Sequence, residues 1–434
     1  MLNKGLGSKF ARLFGGKTKA AAQTISRNRH KLSRKQISEN ALKVLYRLKK
    51  AGYSAYLVGG GVRDLLLKRR PKDFDVATDG HPEDLRQLFV NSRIIGRRFR
   101  LLHVFYPGEI IEVSTFRANA QDEKVIEARE EDAPLVIASD NTYGTIEEDA
   151  WRRDFTVNAL YYNIADFSVV DFMGGMQDLK NRVIRMIGDP VQRYHEDPVR
   201  LLRAIRLAAK LGFTIHPKTE APINELSGLL QHVPEARLFD EVLKLFFEGN
   251  AVSSYQYLKR YHYVEVLFPG LPATLKPSKK ECYQKLIDLA LAATDERFAD
   301  NRSLNPGFLL SVFLWPLVLK QLEKDKDKFP YFYQSLHHAI DEVLQKQNVV
   351  LRIPKRFTAM MRSIWVMQYQ LLARRGKRVY RTLHHRYFRA AFDFLSLRAV
   401  AGEPYQEEVN WWLAFQNGNH GQQKEMVFKL TKRK

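Results

Sequence analysis

The hydrophobic pattern of this 434-residue chain changes near residue 190. Before that position, short alternating runs typical of β-strands are mixed with short helical repeats and glycine-rich turns. After it, helical periodicity dominates. The predicted helices there are 197–211, 235–248, 251–260, 281–293, 306–323, 331–347, 356–375 and 385–399. We therefore predict an α+β fold, in which a mixed head is followed by an all-α remainder.

The head, residues 37–190, contains the strand signals. Its predicted elements are helix 38–51, strand 53–58, helix 62–67, strand 74–77, helix 82–89 and strands 101–106 and 109–116. The last two strands are joined at Pro107-Gly108, a hairpin turn signal. Because the chain is too long for one ordinary core, we predict further divisions. These are a basic arm at 1–36, a helical neck at 191–270 and a helical body with a basic region at 271–434.

The chain is strongly basic, with 70 Lys and Arg against 48 Asp and Glu and a net charge of +22. This excess predicts a polyanionic partner, either nucleic acid or an anionic membrane surface. No helical pattern combines a basic face with a large apolar face, and no run reaches about 18 apolar residues. We therefore favour nucleic acid and expect no membrane insertion. The single cysteine, Cys282, excludes an internal disulfide and suits a reducing, cytoplasmic location.

Two segments concentrate the basic charge. Residues 1–35 hold ten Lys and Arg and no acidic residue, which predicts a disordered arm, with an organellar transit peptide as the alternative. Residues 352–398 hold twelve Lys and Arg against Asp393, with aromatic residues between them. Basic charge interleaved with stacking surfaces suits single-stranded RNA. The predicted RNA-binding cluster is Arg374, Arg375, Lys377 and Arg378.

Five short motifs contain side chains suited to binding a ligand, and the first two are expected to act at one site. Gly59-Gly60-Gly61-Val62-Arg63-Asp64 follows a predicted strand and precedes a helix. Its glycines allow the backbone to approach a phosphate closely, and Arg63 can add a charge-assisted bond. Asp73 and Asp75 follow on a strand, so both carboxylates face one side while Phe74 turns into the core. Mg²⁺ favours such carboxylates together with substrate phosphates.

The third and fourth motifs offer a further carboxylate. Glu112 lies between apolar Ile111 and Val113 on a predicted strand, so it points away from their face. It is either a third carboxylate near the metal or an ordinary polar-face residue. Asp154 lies in Arg152-Arg153-Asp154-Phe155-Thr156-Val157-Asn158. Either Asp154 caps a helix, or Asp154 and Asn158 lie at the nucleotide sugar and metal edge with Arg153 at the phosphates.

The fifth motif opens a helix at Asp197, and Pro198 suits the first helical position. Asp197, Arg200 and Arg203 recur every third residue and lie on one side of that helix. A carboxylate and a guanidinium can pair with the edge of a nucleic-acid base. The alternative is a solvated salt bridge, which the adjacent apolar stripe makes less attractive.

Together these motifs resemble those of the class II nucleotidyltransferases, which comprise bacterial poly(A) polymerases and tRNA CCA-adding enzymes. The matching blocks, in the family's order, are 57–64, 72–75, 152–158 and 196–203. Segments 96–104 and 236–245 resemble the poly(A) polymerase branch, with weaker similarity at 353–356 and 388–393. The chain differs at its C-terminus, where only the short basic run 429–434 corresponds to the long basic tail of some members.

The resemblance implies a polymerase-beta-like nucleotidyltransferase head followed by helical neck, body and RNA-binding regions. It implies template-independent addition of AMP from ATP to RNA 3′ ends, with two Mg²⁺ ions, or Mn²⁺ in their place, and release of pyrophosphate. The implied metal ligands are Asp73 and Asp75, with Asp154 as the third active-site carboxylate and Glu112 as rival or helper. The nucleotide-binding residues expected are Gly59, Gly60, Arg63, Arg153, Asn158, Asp197, Arg200 and Arg203.

Two other functions are compatible with the same residues. A tRNA CCA-adding enzyme would use the same chemistry with CTP and ATP and stop after three nucleotides. A catalytically inactive RNA-binding protein would use only the basic body, but the presence of both Asp73 and Asp75 argues against it. The sequence identifies no protein partner.

Overall fold

The chain forms two compact units in a computed structural model, which describes residues 22–96, 100–118, 142–274, 280–374, 376 and 378–432. The first, here called the head unit, comprises Met1–Glu196 and Thr214–Thr219. The second, the helical unit, comprises Asp197–Phe213 and Glu220–Lys434. The head was expected to end at residue 190, but residues 191–196 and 214–219 of the predicted neck belong to the head unit, and the rest of the neck lies with the body in the helical unit. The α+β prediction is confirmed.

The head unit is built on an eight-stranded sheet. Its strands are β1 Gln23–Ile25, β2 Tyr56–Val58, β3 Asp75–Thr78, β4 Ser92–Ile95, β5 Leu101–Tyr106, β6 Glu109–Thr115, β7 Leu160–Asn163 and β8 Val169–Asp171. Their order is β1-β8-β7-β2-β3-β6-β5-β4. Strands β3 and β6 run parallel, and the other neighbouring strands described in this sheet are antiparallel. A second sheet pairs β9 Val183–Ile184 with β10 Thr214–Ile215.

The two faces of the central strands differ in character. Leu57, Val76, Val113 and Leu102 form one cross-strand row, and all four are buried. The helix Glu39–Lys50 packs against this side of the sheet through an apolar stripe. The next row, on the opposite face, carries Asp75 and Glu112, because side chains alternate along a strand.

Six α-helices lie wholly within the described residues of the head unit. They are Glu39–Lys50, Gly59–Leu66, Pro82–Leu88, Ile146–Arg152, Gly175–Asn181 and Pro190–Glu196. The last three were not predicted. Local capping accounts for one of them: Thr145 and Glu148 form a capping box at the start of Ile146–Arg152.

Residues 22–36 differ from the disordered arm predicted for 1–36, whose first 21 residues lie outside the described part of the chain. Strand β1 pairs with β8, and Ile25 and Leu32 are buried. The His30 ring is hydrogen-bonded to the Phe167 carbonyl at 2.9 Å. A few apolar anchors thus order a segment whose composition is otherwise basic and polar.

The helical unit confirms the predicted all-α character. Its principal described helices are Val199–Leu211, Glu235–Phe246, Ala251–Arg260, Lys280–Ala299, Pro306–Asp325, Phe332–Val350, Lys355–Ala373, Arg378–Leu383, Phe388–Ala401, Gln406–Asn417 and His420–Lys432. Shorter helices are Pro217–Glu220, which spans the unit boundary, Pro222–Glu225, Tyr263–Leu267 and Leu271–Thr274. Across the described residues, no helix has the length and hydropathy needed to span a membrane.

Gly175→Ala is expected to destabilise the head unit. A Cβ at Gly175 would lie 2.2 Å from the Thr156 carbonyl oxygen, and a backbone atom cannot rotate away. Overpacking of this kind costs about 1–3 kcal/mol of unfolding free energy. Urea denaturation measures the change. The control is Gly228→Ala, whose Cβ meets no atom within 4 Å. Equal stability of the two variants would contradict the prediction.

Candidate active site

Two of the carboxylates predicted from the sequence, Asp75 and Glu112, lie together in one cross-strand row of the sheet. Asp75 on β3 is directly paired with Glu112 on parallel β6. Ile111 and Val113 are buried and Glu112 is exposed, which confirms the predicted alternation. Asp73 is also exposed, but it precedes the strand instead of lying on it. Phe74 between them is 8% exposed and turns inward as predicted.

Asp75 is an electrostatically crowded carboxylate. Burial raises the pKa of Asp75 to about 6, the neighbouring Glu112 and Asp73 raise it too, and Arg153 opposes them. A raised pKa means that the negative charge at this position lacks full compensation by the protein. A cation at this point would relieve the repulsion.

The donor set fits a divalent cation whose coordination is completed by a ligand. Among the described residues, no group of three or more Asp, Glu, His or Cys side chains converges into a ready-made metal cage. Mg²⁺ usually binds through one or two carboxylates together with substrate phosphates and water. Asp75, Glu112 and Asp73 supply oxygen donors of that kind without forming an all-protein site.

The glycine motif lies against this carboxylate. The helix begins at Gly59 itself, earlier than predicted, and Gly59 has a φ of +69°, which favours glycine. A Cβ here would lie 3.2 Å from Arg153 Nη1 and 4.0 Å from Asp75 Oδ2. A Cβ at Gly60 would lie 3.5 Å from Arg63 Nη2. The start of the helix, a guanidinium and a carboxylate therefore meet at one place.

Arg153 is held in position by two residues that the sequence analysis did not identify. Its Nε donates to the Tyr161 hydroxyl at 2.8 Å and to Asp149 Oδ2 at 3.2 Å, and Tyr161 donates to the same Asp149 oxygen at 2.6 Å. Burial lowers the pKa of Arg153, but Tyr161 and Asp149 outweigh it, so the pKa is raised overall. The spacing of four residues between Asp149 and Arg153 was a usable signal.

Arg63 belongs to a buried network that meets Arg153 at Asn158, whose carbonyl accepts from Arg153 Nη1 at 3.3 Å. The Arg63 side chain is 5% exposed, with Nε donating to Asp64 at 2.8 Å and Nη1 to Asn158 Oδ1 at 2.6 Å. Asn158 in turn donates to Asp154 Oδ1 at 3.1 Å. These contacts hold the Thr156–Asn158 turn against the glycine helix. A direct bond from Arg63 to a phosphate stays a prediction.

The strand register favours Glu112 over Asp154 as the neighbour of Asp75. Asp154 is 9% exposed and accepts from the Phe155 amide at 2.8 Å as well as from Asn158. It precedes a short 3₁₀ turn, Thr156–Asn158, whose N-cap is Phe155, where the sequence suggested a helix capped by Asp154. Its charge is already met by local donors.

His103 is a further residue of the carboxylate row that was missed. It pairs directly with Glu112 across the β5–β6 hairpin, with 3.5 Å between His103 Nε2 and Glu112 Oε1. The turn at Pro107-Gly108 was recognised in the sequence. Because a two-residue turn sets the register of a hairpin, that turn could have located His103 opposite Glu112.

The proposed base-selecting residues lie at the start of the helix Val199–Leu211 in the helical unit. Asp197 Oδ1 accepts from the Val199 amide at 3.3 Å, as expected of a cap, and Asp197 Oδ2 lies 2.8 Å from Arg237 Nη2. Arg203 lies 4.0 Å from Glu241. The segment Glu235–Phe246 therefore supplies ionic partners to this helix. Arg200 is partly exposed.

The predicted RNA-binding cluster is only partly available to a ligand. Arg374 is 14% exposed, its Nη2 lies 2.9 Å from Glu408, and its guanidinium lies over Trp411. These contacts tie one helix end to another and argue against a direct RNA contact by Arg374. Arg378 is exposed. Arg375 and Lys377 lie outside the described residues.

Comparison with known proteins agrees with this geometry. Residues 55–185 match the family model described as the Poly A polymerase head domain. Residues 212–275 match the probable RNA and SrmB-binding site of polymerase A, and residues 330–434 match the polymerase A arginine-rich C-terminus.

Curated relatives cover most of the chain. A Poly(A) polymerase I of Salmonella typhi is 47% identical over 94% of this chain and 88% of its own length. A CCA-adding enzyme of Lactobacillus helveticus is 37% identical over 70% of this chain and 69% of its own. The solved CCA-adding enzyme of Bacillus stearothermophilus in complex with CTP shares the fold, with a TM-score of 0.57 and 24% identity over 85% of this chain and 80% of that one.

The similarity to the first relative extends through the head and nearly all of the helical unit, and it exceeds the similarity to the CCA-adding enzyme in both identity and coverage. The nucleotidyltransferase head, the paired carboxylates and the arginine-rich C-terminal region are found in the same chain. The chain belongs to the bacterial poly(A) polymerase family of nucleotidyltransferases.

Proposed function

We propose that this chain transfers AMP from ATP to the 3′ ends of RNA without a template and releases pyrophosphate. The observation that carries the proposal is the pairing of Asp75 with Glu112 beside the glycine helix and Arg153. The 47% identity to a protein named Poly(A) polymerase I supports RNA and ATP as substrates. We further propose that it acts in the cytoplasm, since its one cysteine suits a reducing compartment.

Asp73, Asp75 and Glu112 are the residues that would hold the divalent metal, Mg²⁺ or Mn²⁺. When two such ions are bound, they activate the attacking hydroxyl and stabilise the leaving oxygen of an in-line displacement. The protein supplies carboxylate oxygen atoms as metal ligands, and the pairing of β3 with β6 fixes the positions of Asp75 and Glu112. Burial of Asp75 keeps water from screening these charges.

Arg153 and the glycine helix would bind the triphosphate. The Nη1 atom of Arg153 lies near Gly59, and Asp149 and Tyr161 fix the guanidinium from the other side. Free amide groups at the start of a helix favour an anion, and a fixed guanidinium adds charge-assisted bonds. The Arg63–Asn158 network would keep the helix and the adjoining turn in place.

Asp197 and Arg200 would read the edge of the base, with Arg203 behind them. Adenine offers an exocyclic amine and a ring nitrogen, and cytosine offers the same two kinds of group on a smaller ring. Hydrogen bonding alone therefore does not exclude CTP. The ionic contacts of Arg237 and Glu241 with the helix Val199–Leu211 support a role of that segment in setting the pocket size.

The alternative is CCA addition to tRNA, which the 37% identity to a CCA-adding enzyme favours. We expect the purified protein to extend oligoadenylate by many AMP units with ATP and Mg²⁺ and to use CTP poorly. Each nucleoside triphosphate is supplied separately, with oligoadenylate or a tRNA lacking its CCA end. Addition of two C and one A to the tRNA, followed by arrest, would establish the alternative.

Asp75→Asn is expected to lower adenylate addition by about 100-fold or more, because it removes a metal-binding charge worth several kcal/mol of transition-state stabilisation. RNA affinity, measured by filter binding, should persist. The control is Asp84→Asn, which removes an equal charge from an exposed helical position. Near-normal turnover by Asp75→Asn would show that the metal assignment is wrong.

Tyr161→Phe is expected to raise the KM for ATP about tenfold, because Arg153 loses a hydrogen-bond acceptor and a charged hydrogen bond is worth about 1.5–3 kcal/mol. The matched control is the next residue on β7, Tyr162→Phe. Within the described residues, the Tyr162 hydroxyl has no hydrogen-bond partner. If both variants show the same KM, Tyr161 does not position Arg153.

A further inference from the structure

The helical unit contains a cavity of about 770 Å³. Parts of four helices line it: Lys280–Ala299, Pro306–Asp325, Lys355–Ala373 and Phe388–Ala401. The volume lies in the range of ligand sites, roughly 300–1,000 Å³. None of the residues assigned above to the reaction lines this cavity.

The inner surface of the cavity is apolar and partly aromatic. Phe308, Met360 and Leu397 contribute to it, and Met360 is 6% exposed. The ring of Phe308 meets the buried ring of Phe394 edge-on, with centroids 6.3 Å apart at 84°, which restrains its orientation. A flat ring with a hydrophobic face fits such a wall.

Three arginines and one carboxylate line the same cavity: Arg297, Arg386, Arg389 and Asp393. Arg389 lies 3.0 Å from Asp393, but its side chain is 75% exposed, so this ion pair is weak. In the part of the chain that the structure describes, no carboxylate lies within ion-pair distance of Arg297 or Arg386. The cavity thus carries a net positive charge, and its ligand should be anionic.

Two of these guanidinium groups are held in position. Arg297 donates from Nε and Nη2 to the Ser303 carbonyl at 3.1 and 2.9 Å. Arg386 lies over the ring of Tyr387, 4.2 Å from its centroid. Burial raises the pKa of Asp393, although Arg389 and Arg297 lower it.

The segment that contains Arg386 and Arg389 continues the positive charge along the chain. Arg378, Arg381, Arg386 and Arg389 are all exposed, and residues 378–389 contain no acidic residue. A free mononucleotide would occupy only the cavity. A polymer with successive phosphates would also contact the exposed arginines.

We propose that this cavity holds one unpaired nucleotide of the RNA substrate, upstream of its 3′ end. The base packs against Phe308 and Tyr387, and the flanking phosphates contact Arg297, Arg386 and Arg389. The inference rests on the proposed function, since it takes RNA as the substrate. It adds a specific subsite that retains the RNA chain in the helical unit.

Photo-crosslinking tests the location. Oligoadenylates carry a single 4-thiouridine at successive positions upstream of the 3′ end and are bound to the wild-type protein without ATP. We expect crosslinks to the peptide containing Tyr387 from one or two adjacent positions only, and we expect excess AMP or ATP not to compete. Efficient competition by a free mononucleotide would overturn the proposal in favour of a free-nucleotide site.

Affinity measurements test the phosphate contacts and the base contact separately. Arg386→Gln combined with Arg389→Gln should weaken oligoadenylate binding about tenfold and reduce the salt slope by about 1.4, as expected for two lost phosphate contacts. The charge-matched control is Lys320→Gln with Lys324→Gln, two exposed lysines outside the cavity. An abasic nucleotide at the crosslinking position should weaken binding to the wild type about tenfold as well.

The outcomes separate this inference from the proposed function. A wild-type protein that polymerises AMP but gives no Tyr387 crosslink and no abasic effect overturns the cavity subsite alone. A wild-type protein that crosslinks as expected but adds no AMP overturns the proposed function alone. Equal salt slopes for the two double variants would show that Arg386 and Arg389 do not contact phosphates.

Discussion

The parallel pairing of β3 with β6 is the interaction on which the candidate active site depends. It places Asp75 directly beside Glu112, two like charges that repel each other. Parallel neighbours need a long crossover, so the two carboxylates come from distant parts of the sequence. Arg153 offsets part of the repulsion, and Arg153 is itself fixed by Asp149 and Tyr161. The remaining negative charge is what makes this row suitable for a divalent cation.

The acidic residues of the head differ in how fully the protein compensates their charge with hydrogen-bond donors and positive groups. Asp64 and Asp154 accept hydrogen bonds from Arg63, Asn158 and the backbone, and these groups are buried. A satisfied buried network of this kind fixes geometry. Asp75, by contrast, has a raised pKa because it is buried and because Glu112 and Asp73 add negative charge beside it. Uncompensated charge therefore distinguishes the residues suited to bind a ligand from those that hold the turn in place.

Local patterns in the sequence predicted the alternating faces, the helix periods and the hairpin at Pro107-Gly108. They placed Phe74 inside and Glu112 outside, as the structure has them. They did not reveal β1, β4, β7, β8 or the pairing of β9 with β10, because strands of two to four residues have too few positions for a period. They also could not decide whether Glu112 or Asp154 is the carboxylate next to Asp75, because the answer depends on which distant strand lies beside Asp75.

The same distinction between satisfied and unsatisfied charge applies to the basic region of the helical unit. Arg374 and Arg398 are largely buried and paired with Glu408 and Glu403, so they stabilise helix contacts. A count of basic residues alone therefore overstates the surface available to RNA. Arg386, in contrast, stacks on an aromatic ring beside a cavity and has no carboxylate partner among the described residues. Uncompensated positive charge and an apolar wall thus occur together in this part of the helical unit, which is the combination that single-stranded nucleic acids bind.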